Sequence, residues 1–250
     1  MNVLLLLGSE LRARASASVR KAKLDLEAIL VPHHLSIENI HNTLGPLNCE
    51  ILSTSKTDVL SHILSFNPDI VFSIGWPYLF GPEIISGSYL LLNSHPSLLP
   101  KYRGINPWYY IIANGETESG VTVHKIEEGI DSGPILYQES FPLTPFDTYR
   151  SHRAKILALE PTVIEKALKL VRSGKAVFQP QNETKATIYS KKRKPEDSRI
   201  DPTKSLNELV DSIRACDPEE FPAFFDYHGQ DVYVHVTRKS RPDKNNIEML

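Results

Sequence analysis

Tyr89-Leu90-Leu91-Leu92-Asn93-Ser94-His95-Pro96 decides the reading of this chain: an apolar run of strand length passes straight into polar residues and a proline. A short continuous apolar run suits a strand covered on both faces, the condition met inside a parallel sheet packed between helices. Outward from it, Ile70–Ile74 and Val3–Leu7 are runs of the same kind, the latter ending at Gly8-Ser9. Leu26–Val31 closes at Pro32, and Ile51-Leu52 is a shorter strand candidate. Helical spacings separate them. Ile37, Ile40 and Leu44 precede Gly45-Pro46, while Val59, Ile63 and Leu64 precede Asn67-Pro68, and both helices stop where those breakers stand. Strand and helix in alternation predict an α/β fold.

Downstream the character changes. Gly120–Ile126 and Pro134–Phe141 read as strands joined by a turn-rich loop over 127–133, and Phe146–Val171 is helical in pattern. Pro161 is expected to break or kink that helix near Glu160, and Gly174 to end it. Lys191-Lys192-Arg193-Lys194 with Pro195 and Pro202 reads as a solvated linker. Leu206, Leu209, Val210 and Ile213 fit one helix with Ser205 as N-cap. Phe221–Tyr227 and Asp231–Val236 flank His228-Gly229, a hairpin turn whose residues tolerate positive φ. The expected architecture is a Rossmann-like, mostly parallel sheet with helices on both faces, plus a small C-terminal helix and β-hairpin. The expected division is a main domain over 1–190, a linker over 191–204, a helix-hairpin subdomain over 205–238 and a polar tail over 239–250.

Composition removes several classes of function. Lys and Arg total 28 against 30 Asp and Glu, a formal charge of −2, so no global positive field draws the chain to nucleic acid or an anionic membrane. No stretch approaches the roughly 20 apolar residues of a membrane span. Cys49 and Cys216 lie far apart and make no metal or redox spacing, which points to a reducing, cytoplasmic setting. His33-His34 finds no third ligand at a sensible spacing, so no metal is expected.

Asn93 and His95 carry the chemistry. At i and i+2 of an extended chain they project on one side, at the carboxyl edge where open α/β sheets collect ligands. An amide donor beside an imidazole suits stabilising an oxyanion and moving a proton. Alone, the pair fits a histidine that merely hydrogen-bonds at a strand end better than it fits a catalyst.

The wider context is more specific. Asn93-Ser94-His95-Pro96-Ser97-Leu98-Leu99-Pro100-Lys101-Tyr102-Arg103-Gly104, then Gly120-Val121-Thr122-Val123-His124, then Gly129-Ile130-Asp131-Ser132-Gly133, closely resembles the folate-dependent formyltransferase superfamily over residues 1–180. The resemblance implies 10-formyltetrahydrofolate as co-substrate and Asn93, His95 and Asp131 as the catalytic trio. Asp131 would orient His95 and favour its cation. Whether His95 or Asp131 takes the amine proton stays open. The resemblance also implies that the pterin lies against Glu128, Gly129 and Ile130 and against Trp76, Pro77 and Tyr78. His124 reads as a structural strand residue. A cis bond at Leu99-Pro100 is a further implication.

Within that superfamily, Glu10 in Gly8-Ser9-Glu10-Leu11-Arg12 places a negative charge where glycinamide ribonucleotide enzymes cradle a phosphate. The balanced charge and short C-terminal region favour a nucleotide-linked amino sugar, such as a dTDP-4-amino-4,6-dideoxyhexose used for surface polysaccharide, over methionyl-tRNA. Arg12, Arg14, Lys101 and Arg103 are the candidate cations for its diphosphate. A methionyl-tRNA enzyme and a non-catalytic folate-binding module are the alternatives. A homodimer through 205–238 is expected from the aromatic residues of the hairpin.

Overall fold

Strand β1 (Asn2–Leu7) shows why the sheet is covered on both sides: Val3 to Leu7 are all fully buried, leaving neither face for water. The computed structural model describes residues 1–237. After β1 come a 3₁₀ turn over Glu10–Ser16, α1 (Ala17–Lys21), β2 (Asp25–Pro32), α2 (Ile37–Leu44), β3 (Glu50–Thr54), α3 (Val59–Phe66), β4 (Ile70–Ile74), α4 (Pro82–Ile85) and β5 (Leu90–His95). Then follow β6 (Arg103–Gly104), α5 (Pro107–Ala113), β7 (Glu118–Lys125), β8 (Ile135–Pro142), α6 (Tyr149–Arg172), β9 (Ile188–Tyr189), α7 (Leu206–Arg214), β10 (Ala223–Tyr227) and β11 (Gln230–Val234). The two helix stops read from sequence are in place, with Gly45 at φ 68° and Asn67 at φ 44°.

Seven strands form one sheet in the order β3-β2-β1-β4-β5-β7-β8. The β1–β2, β1–β4, β2–β3 and β4–β5 pairs are parallel, and β7 joins β5 antiparallel. This is the Rossmann-like α/β fold. The order turns back at β1, so the crevice beyond the ends of β1 and β4 is a topological switch point. Alternate residues Leu4, Leu6, Ala28, Leu30, Val71 and Leu91 pack on Val59 and Ile63 of α3 and on Ile84. Asn93 and His95 continue the face that carries Leu91.

Two compact units emerge. One comprises residues 1–103, 120–140 and 156–188, the other residues 104–119, 141–155 and the described residues from Tyr189. Their bounds differ from the contiguous division expected at 190, because packing joins segments that sequence keeps apart. In the second unit α5 packs on α7, and Leu209, Ile213, Cys216 and Ala223 form a small core with Tyr109, Ile200 and Val234. Arg193, read as part of a solvated linker, is buried with its guanidinium 3.5 Å from the centre of the Tyr109 ring. The Ser205–Glu208 capping box starts α7, and the hairpin turns at His228 and Gly229, both at positive φ. The expected tail over 239–250, with residue 238, lies outside the described residues.

Pro161 does not break α6, which runs through it for 24 residues. Ile156, Glu160, Val163, Ile164, Ala167 and Leu168 are all buried, so packing on either side offsets the roughly 3 kcal/mol a helix loses at proline. Among the described residues, no helix is long and apolar enough to cross a membrane.

Candidate active site

Gly8 and Gly75 open the crevice at the switch point. A Cβ on Gly8 would lie 1.9 Å from the Gly75 carbonyl oxygen, and the Gly8 N–H donates to Ile74 at 3.0 Å, so these chain ends approach as only glycine permits. Next to them β5 presents Asn93 and His95. The antiparallel register sets Asn93 opposite His124 and His95 opposite Thr122 of β7. Beyond His95 the chain turns sharply. Thr122 Oγ1 donates to the Ser97 carbonyl and accepts from the Leu99 N–H, and the Leu99-Pro100 bond is cis.

Asp131 returns to this strand end because its loop uses two positive-φ residues, Gly129 at 105° and Asp131 at 47°. Gly133 is required as well, since a Cβ there would sit 1.9 Å from the Lys125 carbonyl oxygen. Gln181 Nε2 donates to the carbonyls of Asp131 and Gly133, both at 2.7 Å, and Arg103 in turn donates to Gln181 Oε1. Nothing in the local sequence pattern marks Gln181, which lies 50 residues from the loop it holds.

The three expected residues are thus brought together, with a fourth. His95 Nδ1 lies 3.3 Å from Asp131 Oδ2, and Asn93 Nδ2 lies 3.4 Å from Asp131 Oδ1. His124 Nε2 stands 3.2 Å from Asn93 Nδ2 and 3.4 Å from Asp131 Oδ1. His124 Nδ1–H donates to the Lys125 carbonyl, which leaves Nε2 to accept from Asn93 and turn the amide nitrogen toward the site. His124, read from sequence as a structural strand residue, thus stands beside the trio. The signal was its place in strand register, which only the β5–β7 pairing reveals.

His95 Nε2–H donates to the Tyr102 carbonyl at 2.7 Å, so Nδ1 faces Asp131, and a proton taken up by the pair would lie between them. Burial pushes the His95 pKa below its ordinary value, against the pull of Asp131 and the Tyr102 carbonyl. Desolvation is the larger of these influences, so burial opposes the cation that Asp131 favours.

The remaining expectations divide. Glu128 and Gly129 are exposed and Ile130 half-buried, with Ser132 Oγ donating to the Glu128 carbonyl to fix the loop. Trp76 and Tyr78 meet edge to face and help line a cavity of about 370 Å³ with Lys56, Phe80 and Glu83, while Pro77 is exposed. Trp76 also packs on the core cluster beside Leu91, as does Ile126. Arg14 and Lys101 are exposed. Arg12 and Arg103 are not available as surface cations. Arg12 is buried against Glu160, and Arg103 is buried and bonded to Gln181 and Glu183. Position beside a strand end does not distinguish a ligand-facing arginine from one paired beneath it. Among the described residues no cluster of three or more His, Cys, Asp or Glu is arranged to hold a metal.

Residues 27–168 match the Formyl transferase family, and the chain belongs to that family. It is 31% identical over 169 residues to the methionyl-tRNA formyltransferase of Thermotoga maritima, covering 66% of this chain and 53% of that protein. The chain spans about half the length of the curated relatives it matches. In fold it is similar to a sugar N-formyltransferase from Shewanella sp FDAARGOS_354, with TM-score 0.78 and 20% identity over 96% of this chain and 99% of the other. It is also similar to WlaRD, a sugar 3N-formyl transferase solved with dTDP and 5-N-formyl-THF, with TM-score 0.67 and 20% identity over 86% and 78% of the two chains.

Proposed function

We propose that this protein transfers the formyl group of 10-formyltetrahydrofolate to the amine of a nucleotide-linked amino sugar, for example a dTDP-4-amino-4,6-dideoxyhexose. The observation that carries formyl transfer is the convergence of Asn93, His95, His124 and Asp131 at the end of β5. The co-substrate supplies an activated formyl carbon. As the amine adds, negative charge grows on the formyl oxygen, and Asn93 Nδ2 donates to it. That nitrogen now spends its hydrogens on contacts of 3.2 and 3.4 Å, long enough to be exchanged for a stronger acceptor. An alkyl amine with a reference pKa of about 10.4 arrives protonated and gives that proton to the His95–Asp131 pair before it attacks. The second amine proton, released as the new C–N bond forms, goes to N10 of the folate as the formyl C–N10 bond breaks and tetrahydrofolate leaves. Trp76 and Tyr78 beside the cavity, and the exposed Glu128 and Gly129 with the half-buried Ile130, suit a flat heteroaromatic ring with polar edges.

For the acceptor, support comes from the fold likeness over 96% of the chain to a sugar N-formyltransferase and from the formal charge of −2. Of the four candidate cations for a diphosphate, Arg14 and Lys101 are exposed. The methionyl-tRNA formyltransferase relatives supply the competing acceptor. The test is tetrahydrofolate release with dTDP- and UDP-linked amino sugars, the free amino sugars and methionyl-tRNA at matched concentration. Turnover with a nucleotide sugar, and much less with its free sugar, is expected, because remote contacts position the amine. Turnover with methionyl-tRNA alone overturns the acceptor, and folate binding without formyl release from any amine overturns the enzyme.

A further inference from the structure

Ser94 stands between Asn93 and His95 and, by the alternation of a strand, turns to the opposite face of the sheet. On that face three buried polar side chains close on one another. Arg12 Nη2 donates to the Ser94 carbonyl oxygen at 2.9 Å, and Arg12 Nε donates to Glu160 Oε2 at 2.9 Å. Arg12 Nη2 also contacts Glu160 Oε1, which accepts from Ser94 Oγ at 2.6 Å. Arg12, Glu160 and Ser94 are 6%, 1% and 1% exposed. A Cβ on Gly75 would lie 2.7 Å from Arg12 Nη1, so the same guanidinium abuts the end of β4.

A buried ion pair is an expensive way to fill space. Removing both charges from water costs several kcal/mol per ion, and well-packed apolar residues of similar volume do as well for stability. The energy here is spent on direction: a planar fork aimed at one carbonyl and one carboxylate fixes a strand more closely than apolar contacts do. That carbonyl belongs to the peptide linking Ser94 to His95.

We propose that Arg12 and Glu160 are positioning residues for formyl transfer, gripping β5 through Ser94 from behind so that Asn93 and His95 stay aligned on Asp131. This rests on the catalytic reading above. The pair makes no contact with the reacting atoms. It acts by holding Ser94, and errors of about 1 Å in such a site cost on the order of 10²-fold in rate. The groups facing His95 are Asp131, His124, the Tyr102 carbonyl and, more weakly, Arg12, so loss of the grip also changes the setting of the imidazole.

The experiment replaces both charges at once, Arg12→Met with Glu160→Met, so that neither is left buried alone. Two readouts are taken: steady-state transfer from 10-formyltetrahydrofolate to the best acceptor found, and water exchange of the His95 imidazole N–H held on Tyr102, measured by NMR without any substrate. The expected result is a folded protein whose kcat falls about 10–100-fold while KM for 10-formyltetrahydrofolate stays within about threefold, with His95 N–H exchange at least about tenfold faster. Should the double variant fail to fold, Ser94→Ala removes one hydroxyl and leaves the ion pair. It is expected to move both readouts in the same direction by about three- to tenfold. A folded double variant, or Ser94→Ala, with kcat and exchange as in the wild type overturns the proposal. His95→Gln assayed in parallel separates the two ideas: retained turnover there defeats the catalytic reading, whereas the exchange measurement still reports whether the pair holds the strand.

Discussion

His152 makes the acid stability of the second unit a quantitative matter. It lies on α6, fully buried, with Nδ1–H donating to the Trp108 carbonyl at 3.2 Å and Nε2 accepting from Ser119 Oγ at 2.8 Å. Burial lowers its pKa to about 4, against weaker pulls from the Trp108 carbonyl and Asp147. The unfolded chain takes up this proton near pH 6.5 and the folded chain only near 4, so between those values the unfolded state binds more protons. Stability from this residue is therefore complete above about pH 6.5 and is lost as the pH falls toward 4. At 1.36 kcal/mol per pH unit the gap amounts to about 3 kcal/mol, or roughly 6–12 °C in melting temperature for a chain of this size. The variant His152→Gln keeps a donor and an acceptor but cannot titrate. Both proteins are melted by circular dichroism from pH 7.5 to 4. The variant starts lower at neutral pH, and its deficit should shrink or reverse as the pH falls. Parallel decline of the two curves across pH 6.5 to 4 would refute the reasoning, because the wild-type drop would then come from other groups.

Three further outcomes are expected. Asn93→Ala, His95→Ala and Asp131→Ala should each lower kcat by about 10²–10³ while the far-ultraviolet spectrum and the melting temperature stay close to wild type, as for loss of a preorganised oxyanion donor; near-normal turnover of His95→Ala would contradict the assignment. Gly133→Ala places a Cβ where the Lys125 carbonyl oxygen stands, and should cost about 1–3 kcal/mol in urea unfolding and lower kcat more than it raises KM, because the Asp131 loop must shift. Tyr227, Val232, Tyr233 and Val236 are exposed on or beside a two-stranded hairpin, and we expect a homodimer through this surface; sedimentation showing a monomer at micromolar concentration would exclude it.

The legibility of this chain follows the range of the interactions involved. The runs Val3–Leu7 and Ile70–Ile74 announce buried strands because every residue is apolar, and burial on both faces asks for nothing else. Asn93 and His95 share a face through a spacing of two, which is also local. Asp131 came from a resemblance in its loop, not from periodicity. What stayed hidden depends on partners far along the chain. Arg12 looked like a surface cation because its partner Glu160 is 148 residues away. Gln181 sits in an irregular segment whose pattern carries no sign of the loop it binds. At Pro161 the local rule was sound, and burial of neighbouring side chains on both sides overrode it.

The site depends on one register. Asn93 faces His124 only because β7 pairs antiparallel with β5 at that alignment. A slip of one residue would set Val123 or Lys125 opposite Asn93 and send the His124 side chain to the other face, where Ser94 meets Glu160. Asn93 would then lose the acceptor that turns its amide, and Asp131 would lose one of its two histidine neighbours. The register is held at both ends. At one, Thr122 Oγ1 bonds Ser97 and Leu99 in the turn after His95; at the other, Ile126 donates to the Leu91 carbonyl at 2.9 Å. Thr122 and Ile126 touch no reacting group in the proposed chemistry. Their contacts keep four polar side chains from three separate segments within hydrogen-bonding reach. Exchanging Thr122 for valine keeps the shape but removes both bonds to the turn, so its effect should appear in the alignment of His95 and Asn93 before it appears in folding.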